Sequence, residues 1–270
     1  DIMKNYQLIV FDLDGTLLTQ DFELLTSTIE AIVELRRSGL RVSIATGRSY
    51  KSAKPFLDKL EIVEPMIFSN GSVFDNPETG ERELISGVPL ETALIVLMLL
   101  PEFNISVKLH MADGSIYKSD ETPWPDEGVH FEIGDIKPRL KEELDEDPIK
   151  IVFYDEAGKM DAFSQRLNEI LDSKSQVRLF RSHVRYMEMT NKNVSKGHTL
   201  KKLVDQLGIQ PTEVITVGDQ DNDFEMIRDF GLGVVAGPGT PSLLKVCDHQ
   251  IHMPEERGIE NLVEWLLSAT

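Results

Sequence analysis

The sequence predicts an α/β fold: a doubly wound parallel-sheet core interrupted by an inserted α+β domain. Three observations carry that prediction. Short, mainly apolar runs alternate with helix-like segments over the first third of the chain. The alternation breaks between about Gly80 and Asn193, and it resumes from Lys196 to the end. Apolar runs bounded by turn residues are strands buried on both faces, and strand–helix alternation builds parallel sheets with right-handed crossovers.

Leu8–Phe11 is the first such run. A helix follows, which Thr26 or Ser27 can cap; Ile29, Ile32, Val33 and Leu35 share its inner side and Gly39 stops it. Val42–Ala45 is the second strand and ends at Thr46-Gly47-Arg48. Ser52–Leu60 is a second helix, whose start Pro55 restricts. Met66–Ser69 is a third strand, running into Asn70-Gly71. In the middle region, strands are expected at Ile149–Tyr154 and Tyr186–Met189, with helices at Leu90–Leu100 and Lys159–Leu171. The closing part reads as helix His198–Leu207, strand Val214–Val217, helix Phe224–Asp229, strand Gly233–Val235 and helix Ile259–Leu267. The expected boundaries are a discontinuous core over residues 1–81 and 191–270 and an insert over 82–190, each within ordinary domain size.

Bulk composition narrows the function classes. With 46 acidic against 28 basic residues the net charge is -18, a field that repels nucleic acid backbones and anionic membranes, so neither is an expected partner. The single cysteine, Cys247, fits a reducing compartment. The N-terminus lacks a signal-peptide pattern, and the strongest apolar run, Ala93–Leu100, is too short to span a bilayer and is expected to be one or two buried helix turns. A cytoplasmic location is the expectation. Oligomeric state and source are not legible.

In an open parallel sheet, ligands sit beyond the carboxyl ends of the strands. Four such ends carry polar residues of complementary kind: Asp12 and Asp14; Thr46, Gly47 and Arg48; Ser69, Asn70 and Gly71; and Gly218, Asp219, Asn222 and Asp223. Lys196 precedes the helix leading to the fourth. Singly, each has an ordinary structural explanation, because an Asp after a strand is most often a turn former or cap. Together they point further. Several carboxylates at adjacent strand ends repel one another unless a proton or cation intervenes, and carboxylate oxygens suit a hard divalent ion such as Mg2+.

The segments Asp12-Leu13-Asp14-Gly15-Thr16, Thr46, Lys196 and Gly218-Asp219-Gln220-Asp221-Asn222-Asp223 resemble the four ordered motifs of the haloacid dehalogenase superfamily. Ala45-Thr46-Gly47-Arg48, Ser69-Asn70-Gly71, Val194-Ser195-Lys196-Gly197 and the pattern ending at Met226 are similar to its Cof-type phosphatases. The resemblance implies a magnesium-dependent phosphomonoesterase with an α+β cap, here between the second and third motifs. It implies Asp12 as nucleophile, Asp14 as general acid/base, and magnesium on the Asp12 side chain, the Asp14 backbone carbonyl and Asp219. Thr46, Gly47 and Lys196 would bind phosphate, and Arg48, Asn70, Asn222 and Asp223 would support substrate or those groups. For Arg48, pairing with a cap carboxylate is an equal expectation. Asp14 argues against dehalogenase chemistry, whose enzymes lack it. A phosphomutase, or an idle binding module on the same fold, remains an alternative.

The implied substrate is a small phosphorylated metabolite, a sugar phosphate first. Arg181, His183 and Arg185 alternate and are read either as an anion-binding strand face or as an exposed face balanced by nearby acids; Lys108 and His110 share the spacing. Trp124 is expected to anchor a loop, and His130 carries no signal. Gly233–Gly239 departs from the alanine-rich strand and Asn-Ala pair usual after the fourth motif.

Overall fold

The computed structural model describes residues 5–119, 136–137, 144–171, 175–183 and 185–268, without the side chains of residues 136, 137, 182 and 183. In chain order the elements begin β1 (Leu8–Phe11), α1 (Thr26–Arg37), β2 (Arg41–Ile44), α2 (Tyr50–Leu60), β3 (Met66–Phe68), β4 (Val73–Asn76) and β5 (Glu81–Leu84). The insert contributes α3 (Leu90–Phe103), β6 (Ser106–His110), β7 (Ile116–Lys118), β8 (Ile136–Lys137), β9 (Lys150–Tyr154), α4 (Ala157–Ile170), β10 (Val177–His183) and β11 (Tyr186–Asn191). The chain closes with α5 (Lys196–Leu207), β12 (Val214–Gly218), α6 (Phe224–Asp229), β13 (Leu232–Ala236), α7 (Pro241–Leu244), β14 (His249–Ile251) and α8 (Gly258–Ser268). Two compact units result: residues 1–48, 53–83 and 195–270, and residues 49–52 with 84–194.

The first unit holds a parallel sheet in the order β14-β13-β12-β1-β2. Every residue of β1, β12 and β13 is buried, as required of strands covered on both faces. Helix α1 packs on α8, and α5 on α6. The chain leaves β1 toward β2 on one side and returns as β12 on the other, so the strand order reverses at β1. That reversal opens the crevice in which ligands bind in such sheets. Phe11 is in register with both Val217 and Ile44, so the loops after all three strands start at one level.

Two expectations are corrected here. Met66–Phe68 touches the parallel sheet through one bridge, Ala45 to Ile67, and otherwise pairs antiparallel with β4, in a small sheet with β5. Helix α1 starts from Leu25 with no side-chain cap, so neither Thr26 nor Ser27 plays that role.

The second unit is a six-stranded sheet, β10-β11-β9-β6-β7-β8, antiparallel except for β7 and β8. Its apolar face, with Val107, Leu109, Ile151, Phe153, Met187 and Met189, packs on Val96 and Leu97 of α3 and Phe163 and Leu167 of α4. The Ala93–Leu100 run is therefore only half buried. Leu94, Ile95 and Met98 lie exposed, Met98 at 75%. Lys108 and His110 alternate with the buried Val107 and Leu109, and oppose Lys118 and Lys150 respectively. The Arg181/His183/Arg185 alternation does not form one strand face. Register shifts between Arg181 and His183, and Arg185 lies beyond β10. Arg181 pairs with Asp161 of α4 at 2.5 Å, and Arg185 lies 4.6 Å over the Tyr154 ring. Trp124 and His130 lie outside the described residues.

Candidate active site

Asp12 follows the last residue of β1, and its N–H donates to the Val217 carbonyl at 2.9 Å, holding it beside the end of β12. Its side chain is 7% exposed and meets Lys196 Nζ at 2.8 Å. Lys196, the first residue of α5, is wholly buried and also meets Asp223 Oδ1 at 2.7 Å. The other Asp223 oxygen accepts from the backbone N–H groups of Asp219 and Gln220, at 3.0 and 3.2 Å. Asp223 thus ties the loop that presents Asp219 to the lysine. Asp219 accepts from the Thr16 hydroxyl at 3.3 Å and from Gln220 Nε2 at 3.1 Å. Gly15, at φ 75°, fits here because a Cβ would run into the Asp219 carboxylate.

Asp12, Asp219 and Asp223 offer carboxylate oxygens within 4.8 Å of one another. Burial is the largest influence on Asp12 and pushes it up to about 8, helped by Asp223 and Asp219 and opposed by Lys196. Burial and then Asp223 push Asp219 up to about 6. Burial lowers Lys196, but Asp12 and Asp223 outweigh it and hold the ammonium above its ordinary value. These directions compete. Lys196 stays charged against Asp223 at 2.7 Å, while burial leaves Asp12 holding a proton up to about 8 until a cation draws it off. Three carboxylates facing one ammonium leave a formal charge of two negative, which one divalent cation would balance. The donor set, all carboxylate oxygen, suits a hard ion such as magnesium.

Asp14 stands apart from this cluster. Its two oxygens accept from Arg48 Nε and Nη2 at 2.6 to 3.1 Å, so Arg48 pairs with Asp14 in its own unit. Thr46 is fully buried just past β2, where its hydroxyl accepts from the Arg48 N–H at 3.1 Å. The Asn70 N–H donates to the Thr46 carbonyl at 3.0 Å, and the Asn70 amide lies against Gly47, 3.0 Å from where a Cβ would sit. Asn222 Nδ2 donates to Asn70 Oδ1 at 2.9 Å across 152 residues of sequence. Ser69, Asn70 and Gly71 all take positive φ (52°, 57° and 103°), a tight left-handed turn. Its last carbonyl accepts from Thr199 of α5 at 2.6 Å, which ties the turn to the helix of Lys196. All the residues singled out at the four strand ends, with Lys196, therefore stand around the ends of β1, β2, β3 and β12. Sequence reading gave no role to Thr16, Gln220 or Thr199. Only Thr16 carried a signal, as the last residue of Asp-x-Asp-Gly-Thr.

A family model described as haloacid dehalogenase-like hydrolase matches residues 9–263. The chain belongs to that family. Among curated relatives, this haloacid dehalogenase-like hydrolase is 28% identical to the putative phosphatase YxeH of Bacillus subtilis, over 98% of this chain and 99% of the relative. It is 24% identical to 5-amino-6-(5-phospho-D-ribitylamino)uracil phosphatase YitU of the same organism, over 95% and 96%. Among solved structures, TM0651 from Thermotoga maritima superposes with a TM-score of 0.87 at 26% identity, over 96% and 97% of the two chains. The hydrolase is a phosphatase of this family, and no helix among the described residues is long and apolar enough to cross a membrane.

Proposed function

We propose that this phosphatase hydrolyses a small phosphorylated metabolite, a sugar phosphate first, through an aspartyl phosphate on Asp12. The observation that carries the reading is the unbalanced charge at the Asp12 cluster: two negative charges beyond what Lys196 neutralises suit a divalent cation, and Lys196 with that cation suits a phosphate. Magnesium would be held by the Asp12 side chain, the Asp14 backbone carbonyl and Asp219. When bound it supplies positive charge to the phosphoryl oxygens and favours ionised Asp12.

In the first step an Asp12 oxygen forms a bond to phosphorus as the bond to the leaving oxygen breaks, and Asp14 gives its proton to that oxygen. In the second, a water attacks phosphorus and its proton passes to Asp14. The Asp12–phosphorus bond then breaks and inorganic phosphate leaves. Thr46 through its hydroxyl, Gly47 through its N–H and Lys196 hold the phosphate oxygens, while Asp223 and Asn222 keep Lys196, Asp219 and Asn70 in place.

Residues 82–190 are proposed as the cap that selects the substrate, and the cytoplasm as its setting. The name of YitU, which specifies a phosphorylated ribityl group, supports a sugar- or polyol-phosphate substrate. Hydrolysis of p-nitrophenyl phosphate tests the chemistry: turnover should need magnesium and vanish on chelation and in Asp12→Asn. Turnover surviving in Asp12→Asn would remove the proposal. A phosphate-release screen over a metabolite panel tests the substrate class, and sugar phosphates interconverted without phosphate release would favour a mutase.

A further inference from the structure

The four carboxylates around β1 and β12 fall into two sets. Asp12 and Asp223 meet Lys196 and Asp219 clusters with them, whereas Asp14, only two residues from Asp12, is held by Arg48. The Arg48 side chain is 3% exposed and grips Asp14 through Nη2 at 2.6 Å and Nε at 2.9 and 3.1 Å. Its guanidinium carbon lies 5.6 Å from the Phe22 ring centroid and 5.0 Å from that of Phe56. Phe22 reaches this place at a price in backbone conformation. It sits at φ 60°, which bulky residues avoid, in a turn where its N–H donates to the Thr19 carbonyl and the Thr19 N–H to the Glu23 carbonyl. Strain held beside a reaction centre points to a role for the contact it creates.

The electrostatics say what that role is. A loose carboxylate beside a divalent cation is drawn in as a further ligand. A buried guanidinium offering two parallel donors competes for it and also fixes its plane, which a single ammonium cannot do. We propose that Arg48, seated on Phe22 and Phe56, is a positioning residue that keeps Asp14 out of the cation site and turned toward the leaving-group oxygen. This rests on the reading of Asp14 as the group that protonates the leaving oxygen.

Two substrates separate that role from a merely structural one. The p-nitrophenolate group departs with little need of a proton, whereas phenolate, a stronger base, depends on one. In Arg48→Lys, with saturating magnesium, kcat for phenyl phosphate should fall at least about 10-fold more than kcat for p-nitrophenyl phosphate, with KM changed less than about 3-fold, given that proton transfer contributes about 100- to 10,000-fold. Phe22→Gly removes one ring and suits the positive φ, so it should fold and show the same selective loss, smaller in size. If Arg48→Lys does not fold, Phe22→Gly decides alone. Equal losses on both substrates, a loss confined to KM, or wild-type behaviour would each overturn the positioning role. Wild-type protein inactive on both substrates, or activity persisting in Asp12→Asn, would overturn the proposed function with it. An active wild type, an inactive Asp12→Asn and an unchanged substrate ratio would overturn the positioning role alone.

Discussion

Lys196→Met is the perturbation that most directly tests the charge balance of the site. Methionine fills much of the same space but removes the cation facing Asp12 at 2.8 Å and Asp223 at 2.7 Å, in a position with no solvent exposure. Removing one partner of a buried ion pair costs about 3–5 kcal/mol, on the order of a hundred- to several-thousand-fold in the unfolding constant. At a slope of ~3 kcal/mol per molar urea, the midpoint falls by ~1–2 M. The measurement is urea unfolding with a chelator present, followed by the fluorescence of Trp265, which stacks on His249 within the first unit, in a Trp124→Phe background. The deficit carries a pH signature. Asp12 sits up near 8 even with Lys196 present, so without the lysine the folded state gains still more from a proton, and stability recovers as pH falls from 8 toward 5. A deficit below ~1 kcal/mol at pH 7.5, against the ~3–5 expected, or one independent of pH, would refute the buried, coupled arrangement.

Two further outcomes are expected. In wild-type protein without metal, folded Asp12 keeps, up to about 8, a proton the unfolded chain releases near 3.8. Its contribution to stability is therefore complete below pH 3.8 and declines as pH rises through 8, by at most ~1.4 kcal/mol per pH unit. Magnesium should reverse the decline, and calorimetry in buffers of differing ionisation enthalpy should show proton release on binding at pH 7; binding without proton release would contradict this. Gly71→Ala places a Cβ against the Ser195 carbonyl in a residue at φ 103°. It should destabilise the fold by ~1–3 kcal/mol and, by shifting the start of α5 and so Lys196, lower kcat by about 100-fold. Melting and turnover at wild-type values would show that the turn yields without moving the lysine.

Much of the core was legible because its signals are local. Leu8–Phe11 is apolar throughout and Val214–Val217 apolar but for the buried Thr216, because both faces of these strands are covered, and Phe224–Asp229 coincides with α6. The insert was harder to read. Strand β6 alternates buried Val107 and Leu109 with Lys108 and His110, and β10 carries Arg178 and Arg181 among apolar residues. Charged residues at alternate positions make both strands look polar in a window of a few residues, although in β6 even Lys108 is buried. β4 and β5 escaped for a similar reason, since Glu81–Leu84 is largely charged and pairs with β4 beside the main sheet.

By itself, the sequence determined which residue types end the core strands and in what order, and so the family and its phosphatase activity. Residue identity and local periodicity carry that information along the chain. Only the tertiary structure decided which groups are partners. The reversal of strand order at β1 brings Lys196 to Asp12 and Asn222 to Asn70, and the turn at Phe22 lays a ring against Arg48. Two aspartates separated by a single residue, Asp12 and Asp14, are nearly equivalent in sequence. They become different because folding buries one against a lysine and gives the other to an arginine, and side-chain direction and strand register settle that at a distance no local pattern encodes.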